Sequence, residues 1–259
     1  MKDNVLAWLR LFRVVNLPTV PGDVLVGAAC VVALNPSAYS RLGDLAAPSI
    51  AGAAFASVLL YMYGLADNDI VGAKTDQGRP IPDGLVSLFA ARFARALCWF
   101  GTLAIGYAVR LPAEWWCMAM LLLVSIALYN RTKTSVHMGL CRALNVLCGA
   151  AALSPRVIPV DTSRWESLAN RGAFAALAAA FVWLVYIAAV TKYSEGEELD
   201  DAKKVRVGFL VGAIVYLQLA ALLALVLVSS AVKPMLVAGA LLLIALRVSK
   251  RLFPRVSAS

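Results

Sequence analysis

The chain has 259 residues, of which 61% are hydrophobic and 15% are charged, and its mean hydropathy is +0.79. A typical soluble domain contains about 45–50% apolar residues, so a water-soluble fold could not bury this much apolar surface. The net charge of +9 would suit a nucleic-acid partner, but the basic residues are scattered through short connections and form no nucleic-acid motif. Composition therefore indicates an integral membrane protein and argues against nucleic acid as a partner.

Apolar runs of about 20 residues, the length needed to cross a hydrocarbon core, recur along the chain. They predict an all-α fold, a polytopic membrane helical bundle of about eight transmembrane helices that forms one domain over residues 1–259. The predicted spans are 14–34, 46–66, 86–109, 113–129, 138–153, 172–190, 207–229 and 235–248.

Lysine and arginine in the connections predict the orientation of these spans. Eight crossings place both termini on one side of the membrane, and most of the 24 basic residues fall on that side. The positive-inside rule makes it the cytoplasmic side, and we expect a multi-pass protein of a bacterial cytoplasmic membrane. Three polar loops, 67–84, 130–137 and 192–206, then share the cytoplasmic face.

A short pattern recurs in the two halves of the chain. Arg13-x-x-Asn16 near the first span is repeated as Arg142-x-x-Asn145 near the fifth, and the same offset relates the acidic residues that follow the second and sixth spans. An even number of helices between the copies predicts two parallel pseudo-repeats of four helices, about 10–130 and 138–255, related by an axis along the membrane normal. Two short matches can also arise by chance.

Polar residues inside apolar spans point to a cavity. Arg142 and Asn145 lie one helical turn apart and share a face. An arginine inside an apolar helix costs about 2.5–3.5 kcal/mol, so such residues usually line a functional polar cavity. The alternative is that Arg142 snorkels to the interface. Asp23 indicates function for the same reason, unless the neighbouring Pro21-Gly22 pair opens its helix to water.

The polar loop 67–84 contains oxygen ligands followed by an arginine on a proline-rich turn, Arg79-Pro80. Carboxylate and amide oxygens suit Mg²⁺, which commonly binds one or two carboxylates together with phosphate oxygens. Arg79 could clamp a phosphate through two hydrogen bonds. An acidic loop alone is equally well explained as a solvated connection. A second acidic loop, with Glu195 and Glu197, favours metal ions held against a diphosphate.

These residues resemble a known family. Asn68-Asp69 after an apolar helix, Asp76, and Arg79-Pro80-Ile81-Pro82-x-Gly84 resemble the first aspartate-rich loop of the UbiA superfamily of membrane prenyltransferases. Tyr129-x-x-x-Lys133 is similar to the family's Tyr/Lys loop, and the glutamate loop stands where the family has its second aspartate-rich motif. Arg13-x-x-Asn16, Arg142-x-x-Asn145 and Thr191 with Glu197 look most like the EboC-like branch.

The resemblance implies that Mg²⁺ bound by the two acidic loops holds an isoprenyl diphosphate, whose prenyl group passes to a lipophilic, usually aromatic, acceptor within the membrane lipid. It implies a function for three sets of residues. The metal ligands would be Asn68, Asp69, Asp76, Glu195 and Glu197. The catalytic residues would be Asp69, Asp76 and Lys133. The substrate contacts would be Arg13, Asn16, Arg79, Tyr129, Lys133, Arg142, Asn145, Lys192 and Tyr193.

The sequence departs from the family pattern at several points. Gly72 stands where the family has its second aspartate, the stretch from Asp76 to Arg79 is short, and the usual ninth helix has no clear counterpart. The alternative function is therefore a catalytically degenerate member that binds or translocates a polyprenyl or other lipophilic molecule. A transporter would place polar residues on both membrane faces, whereas here they concentrate on one.

Overall fold

The structure is a computed structural model that describes residues 2–34, 46–76, 78–153, 168–195, 201–228 and parts of 239–247. Within these residues the chain forms α-helices, one short 3-10 helix and no strand, which confirms the predicted all-α fold. The helices are α1 (Lys2–Leu11), α2 (Thr19–Leu34), α3 (Ala46–Val71), α4 (Leu88–Ala108), α5 (Ala113–Thr132), α6 (Ser135–Ala151), α7 (Leu168–Ser194) and α8 (Asp201–Val228).

In the described part of the chain, six helical segments are long and apolar enough to cross a membrane. They correspond to α2 with its preceding 3-10 turn, α3, α4, α5, α7 and α8, each at a predicted span. The predicted fifth span is α6, a helix of 17 residues, which measures about 25 Å. The predicted eighth span, 235–248, lies largely outside the described residues.

Helix α2 lies at the centre of the bundle, because it packs against α3, α6, α7 and α8. Its contact with α6 depends on two glycines. A Cβ on Gly27 would lie 1.8 Å from the Val146 carbonyl oxygen, and a Cβ on Gly149 would lie 2.0 Å from the Val24 carbonyl oxygen. Only glycine permits this approach of two backbones, a packing mode common between membrane helices.

Apolar side chains on the outer helices face away from the bundle. On α4 the exposed side chains include Phe89, Phe93, Phe100 and Tyr107, and α7 and α8 present similar residues. In a soluble protein such a surface would drive association, whereas in a bilayer it is the surface that contacts lipid. This arrangement supports a multi-pass membrane protein.

The polar segments gather at one end of the bundle. Asn68 in the last turn of α3 contacts Lys133, which follows α5. Gly139, in the first half of α6, lies against the Leu184 carbonyl oxygen, in the second half of α7. The ends of α3, α5 and α7 therefore lie on the same side of the bundle.

Two of the differences from the predicted boundaries bear on the functional site. Helix α3 continues to Val71, five residues beyond its predicted end, so Asn68 and Asp69 are helical residues and not loop residues. Arg13 adopts a left-handed conformation, with φ of 41°, at the break between α1 and the 3-10 turn. Arg142 lies inside the continuous helix α6. The relation between the two pseudo-repeats stays a prediction.

Candidate functional site

The first carboxylate cluster forms where α3 ends. Asn68 and Asp69 are 7% and 6% exposed in its last turn. Asp76 comes back towards this turn because its backbone N–H donates to the Gly72 carbonyl oxygen. The loop then turns through Gly78 and Gly84, both with φ above 70°, and the Gly78 N–H donates to the Asp83 carboxylate. These turns bring Arg79 back over the end of α3.

Arg79 bridges the two carboxylates. One atom, Arg79 Nη1, lies 3.0 Å from Asp69 Oδ1 and 3.1 Å from Asp76 Oδ2. The Arg79 side chain is 30% exposed, so this arrangement lies at the edge of the bundle and not in its core. The protein's own cation thus occupies the point where the two carboxylates converge.

Lys133 completes this end of the site. It follows α5 in a left-handed conformation that ends the helix. Its ammonium donates to Asn68 Oδ1 and lies 5.8 Å from the centre of the Tyr129 ring, a cation–π contact. Burial lowers the pKa of the Lys133 ammonium, and the nearby Arg79 guanidinium lowers it further, while the Asp76 carboxylate opposes the shift. The charged form of Lys133 is therefore less favoured here than that of a fully solvated lysine, mainly because the side chain is partly buried.

A cavity of about 120 Å³ extends from this end into the bundle. Arg13, Asn68, Arg79, Tyr129 and Lys133 line its outer end, which we call the charged mouth. The remaining lining residues that matter here are Ser57, Tyr61, Leu122, Ile126, Met138, Cys141, Arg142 and Asn145. Seven of the predicted site residues therefore border one cavity, and Asp69 and Asp76 contact it through Arg79.

The inner part of the cavity borders a buried polar network centred on Asp23, which is 0% exposed. Arg142 Nε lies 2.9 Å from Asp23 Oδ2 as an ion pair, and Arg142 Nη2 donates to Asp23 Oδ1 at 3.2 Å. Asn145, Trp183 and Gln218 donate to the same carboxylate at 3.1, 2.8 and 2.7 Å. One carboxylate therefore joins α2, α6, α7 and α8.

This network settles two expectations about α2 and α6. The Asp23 carboxylate has no contact with solvent, so the Pro21-Gly22 pair does not open α2 to water at this point. Arg142 does not snorkel to the interface, because its guanidinium is paired with Asp23 inside the bundle. A charge in such surroundings is tolerated when it is paired and hydrogen-bonded.

Other predicted residues lie away from the cavity. Asn16 is in the 3-10 turn, where its carbonyl oxygen accepts a hydrogen bond from Thr19. Lys192 pairs with Glu195 at 2.8 Å, and both side chains are more than half exposed. Tyr193 is exposed and contacts Lys203. None of these four predicted residues lines the cavity, and Glu197 lies outside the described residues.

The residues of the first loop fit Mg²⁺. The carboxylates of Asp69 and Asp76 approach a common point, and Asn68 adds an amide oxygen beside them. A Cβ on Gly72 would lie 2.3 Å from Asp76 Oδ2, so Asp76 occupies the space that a side chain at 72 would need. No group of three or more histidine, cysteine or acidic side chains is close enough to hold a metal in the described residues. Two carboxylates suffice for Mg²⁺ when phosphate oxygens complete its shell.

Sequence reasoning missed several residues of the site. Ser57 donates to Asn145 Oδ1 at the inner part of the cavity. Asn130 borders the cavity and donates to Asp67, which pairs with Arg95 at 2.6 Å. Gln218, in the apolar helix α8, could have been identified from the sequence, because a polar residue in a membrane helix usually faces the bundle interior. Ser57 and Trp183 could not, since both residue types are common in membrane helices.

Comparison with known proteins bears on the fold. No protein-family model matches the sequence, and no curated protein is significantly similar to it. A solved structure of digeranylgeranylglyceryl phosphate synthase, a UbiA-superfamily membrane prenyltransferase, is similar to this chain with a TM-score of 0.54 at 16% identity. The similarity covers 99% of both chains. The predicted resemblance to the UbiA superfamily is confirmed at the level of the fold, while the EboC-like branch stays a prediction.

Proposed function

We propose that this chain, which has the fold of the UbiA superfamily, is a Mg²⁺-dependent intramembrane prenyltransferase. It would transfer an isoprenyl group from a prenyl diphosphate to a lipophilic, aromatic acceptor. The observation that carries the proposal is the combination of a charged mouth with an apolar cavity wall in one site. A prenyl diphosphate has the same two-part chemistry, with a polyanionic head and an apolar chain.

The charged mouth suits the diphosphate head. Arg13, Arg79 and Lys133 supply three positive charges beside the carboxylates of Asp69 and Asp76. Arginine and lysine are the side chains that most often bind phosphate oxygens, the former through its planar fork and the latter as a point charge. Bound Mg²⁺ would neutralise charge on the diphosphate and so make it a better leaving group. Asn68, Asp69 and Asp76 are the described residues that would hold it.

The chain's own residues have three further effects on the transfer. Arg79 and Lys133 are positioned to stabilise the negative charge that develops on the departing diphosphate. The Tyr129 ring lines the cavity beside them, and a ring face that Lys133 does not cover would favour the positive charge developing on the allylic carbon. The apolar walls around Leu122 and Ile126 exclude water, which would otherwise capture that carbon.

A second candidate function is supported by one specific observation. Arg79 already pairs with both Asp69 and Asp76, and Glu195 of the second loop is exposed and paired with Lys192. A catalytically silent member that binds a polyprenyl lipid needs no bound metal, so carboxylates paired with the protein's own cations are compatible with that function. Turnover separates it from the transferase, because both proteins would bind a prenyl diphosphate.

Calorimetric titration with an unreactive prenyl thiodiphosphate, with and without Mg²⁺, tests the proposed site. Asp69→Asn removes a charge at nearly constant volume, so the protein should fold while Mg²⁺-dependent binding falls. Glu197→Gln makes the same test of the second loop. Glu114→Gln is the control, because Glu114 lies in the first turn of α5, at the opposite end of the bundle from Lys133. If neither Asp69→Asn nor Glu197→Gln weakens binding, the site assignment is wrong and lipid binding or transport is favoured.

A further inference from the structure

The cavity has a second polar region, separated from the charged mouth. On α3 the lining residues Ser57, Tyr61, Leu65 and Asn68 lie on one face at helical spacing. Ser57 precedes Asn68 by eleven positions, which corresponds to about 16 Å along the helix axis. Ser57 therefore lies well inside the bundle, beside Asn145 of α6, and Arg142 lines the same cavity one helical turn before Asn145. We call this region the inner subsite.

The inner subsite contains hydrogen-bond donors without a partner. Arg142 Nη2 donates to the Thr19 carbonyl oxygen and to Asp23 Oδ1, and Nε lies against Asp23 Oδ2 as an ion pair. Nη1, with two N–H groups, makes no hydrogen bond to any described residue. The Arg142 side chain is 10% exposed, and it borders the cavity. A nine-tenths buried guanidinium at the cavity wall thus has two N–H groups, those of Nη1, that no described residue accepts, and we call Nη1 its free edge.

Charge distinguishes the inner subsite from the mouth. Asp23 neutralises Arg142, so the inner subsite has donors but no net charge. Its neighbours Leu122, Ile126 and Met138 are apolar, and placing a second anion among them would carry a large desolvation cost. The free edge of Arg142 therefore suits a neutral oxygen and not a diphosphate. This differs from the diphosphate contact that the family resemblance implies for Arg142.

The hydroxyl of Ser57 indicates which kind of ligand oxygen the inner subsite would bind best. Its hydroxyl donates its one hydrogen to Asn145 Oδ1, which leaves its lone pairs free to accept. Arg142 and Asn145 are neighbours on one face of α6, with their Cβ atoms about 5–6 Å apart. A hydroxyl group on a ligand could accept from Arg142 Nη1 and donate to Ser57. A carbonyl or ether oxygen could make only the first of these bonds.

We propose that the inner subsite binds the hydroxyl group of a lipophilic alcohol or phenol. If the proposed function is right, this molecule is the prenyl acceptor, anchored by a hydroxyl distant from the carbon that reacts at the mouth. Asp23 acts as a positioning residue, because it holds the Arg142 guanidinium at the cavity wall. No covalent change occurs at the inner subsite.

The test compares two matched probes, 4-butylphenol and 4-butyltoluene, by ligand-induced shifts of thermal unfolding of the full chain in detergent. The wild type is expected to bind the phenol about tenfold more tightly than the toluene, since a hydrogen bond from a charged donor has about this effect. Arg142→Lys should remove most of that preference, and Ser57→Ala should reduce it about 2- to 5-fold, because a hydrogen bond to a neutral hydroxyl contributes less. Lysine keeps the charge opposite Asp23 but lacks the free Nη1 edge. Micelle partitioning is the same for all variants and cancels in the comparison.

Ser125→Ala is the matched control, because Ser125 is a buried serine of α5 that does not line the cavity. If Arg142→Lys does not fold, the phenol preference of Ser57→Ala alone tests the proposal. The proposal is overturned if the wild type shows no preference for the phenol, or if Ser57→Ala keeps the full preference. Neither probe contains a diphosphate. Loss of the phenol preference would leave the prenyl diphosphate site intact, and failure of diphosphate binding would leave the inner subsite intact.

Discussion

Replacing Arg79 by glutamine should raise the affinity of the substrate-free protein for Mg²⁺. Arg79 Nη1 lies within 3.1 Å of both Asp69 and Asp76, so a metal ion that binds these carboxylates must displace the guanidinium. Hydrogen bonds to charged groups contribute about 1.5–3 kcal/mol. The side chain is 30% exposed, and solvent screening reduces that value to about 1–2 kcal/mol. The Mg²⁺ dissociation constant should then fall about 5- to 30-fold.

Isothermal titration of Mg²⁺ into purified protein, without diphosphate, measures this change. Arg95→Gln is the matched control, because Arg95 pairs with Asp67 at 2.6 Å beside the same helix end and contacts neither Asp69 nor Asp76. Addition of an unreactive prenyl thiodiphosphate should tighten Mg²⁺ binding in the wild type, since the phosphate offers Arg79 another partner. If Arg79→Gln binds Mg²⁺ no more tightly than the wild type, the guanidinium does not compete with the metal.

Three further predictions, made on four variants, concern the fold, the first loop and the membrane topology. Asp23→Asn leaves a buried guanidinium without its counter-ion, so the free energy of unfolding should fall by about 3–5 kcal/mol, measured by denaturant titration in detergent. Gly72→Ala places a Cβ against the Asp76 carboxylate, so calorimetry should show weaker Mg²⁺ binding; unchanged binding would mean that Asp76 is not a ligand. Thr75→Cys and Ser194→Cys should both react with a cysteine reagent from the cytoplasmic side only. Labelling from opposite sides would show that α6 does not cross the membrane.

The first loop could be predicted from sequence because its information is local. Asn68, Asp69, Asp76 and Arg79 lie within twelve consecutive residues, and turn residues such as Gly78 and Gly84 bring them together without help from distant helices. The predicted end of α3 was too early, because the acidic residues suggested a loop. In the structure Asn68 and Asp69 continue the helix, and Ile70 and Val71 follow in the same helical register.

The partners of Asp23 could not be predicted in the same way. An intramembrane carboxylate predicts that some partner exists, but Arg142, Trp183 and Gln218 lie on three other helices. Which of them meet Asp23 depends on how α6, α7 and α8 pack around α2, and close glycine contacts determine that packing. The sequence therefore indicated that Arg142 faces a polar interior, while the free edge of its guanidinium appeared only with the structure.

Turnover of a prenyl diphosphate tests the central claim most directly. Purified protein in detergent would be incubated with Mg²⁺, a lipid extract as the source of acceptor and a panel of labelled prenyl diphosphates, and the release of diphosphate would be measured. We predict release that requires Mg²⁺, is lost in Asp69→Asn and persists in Glu114→Gln. Binding of the thiodiphosphate without diphosphate release from any member of the panel would contradict the transferase and favour the silent lipid-binding protein.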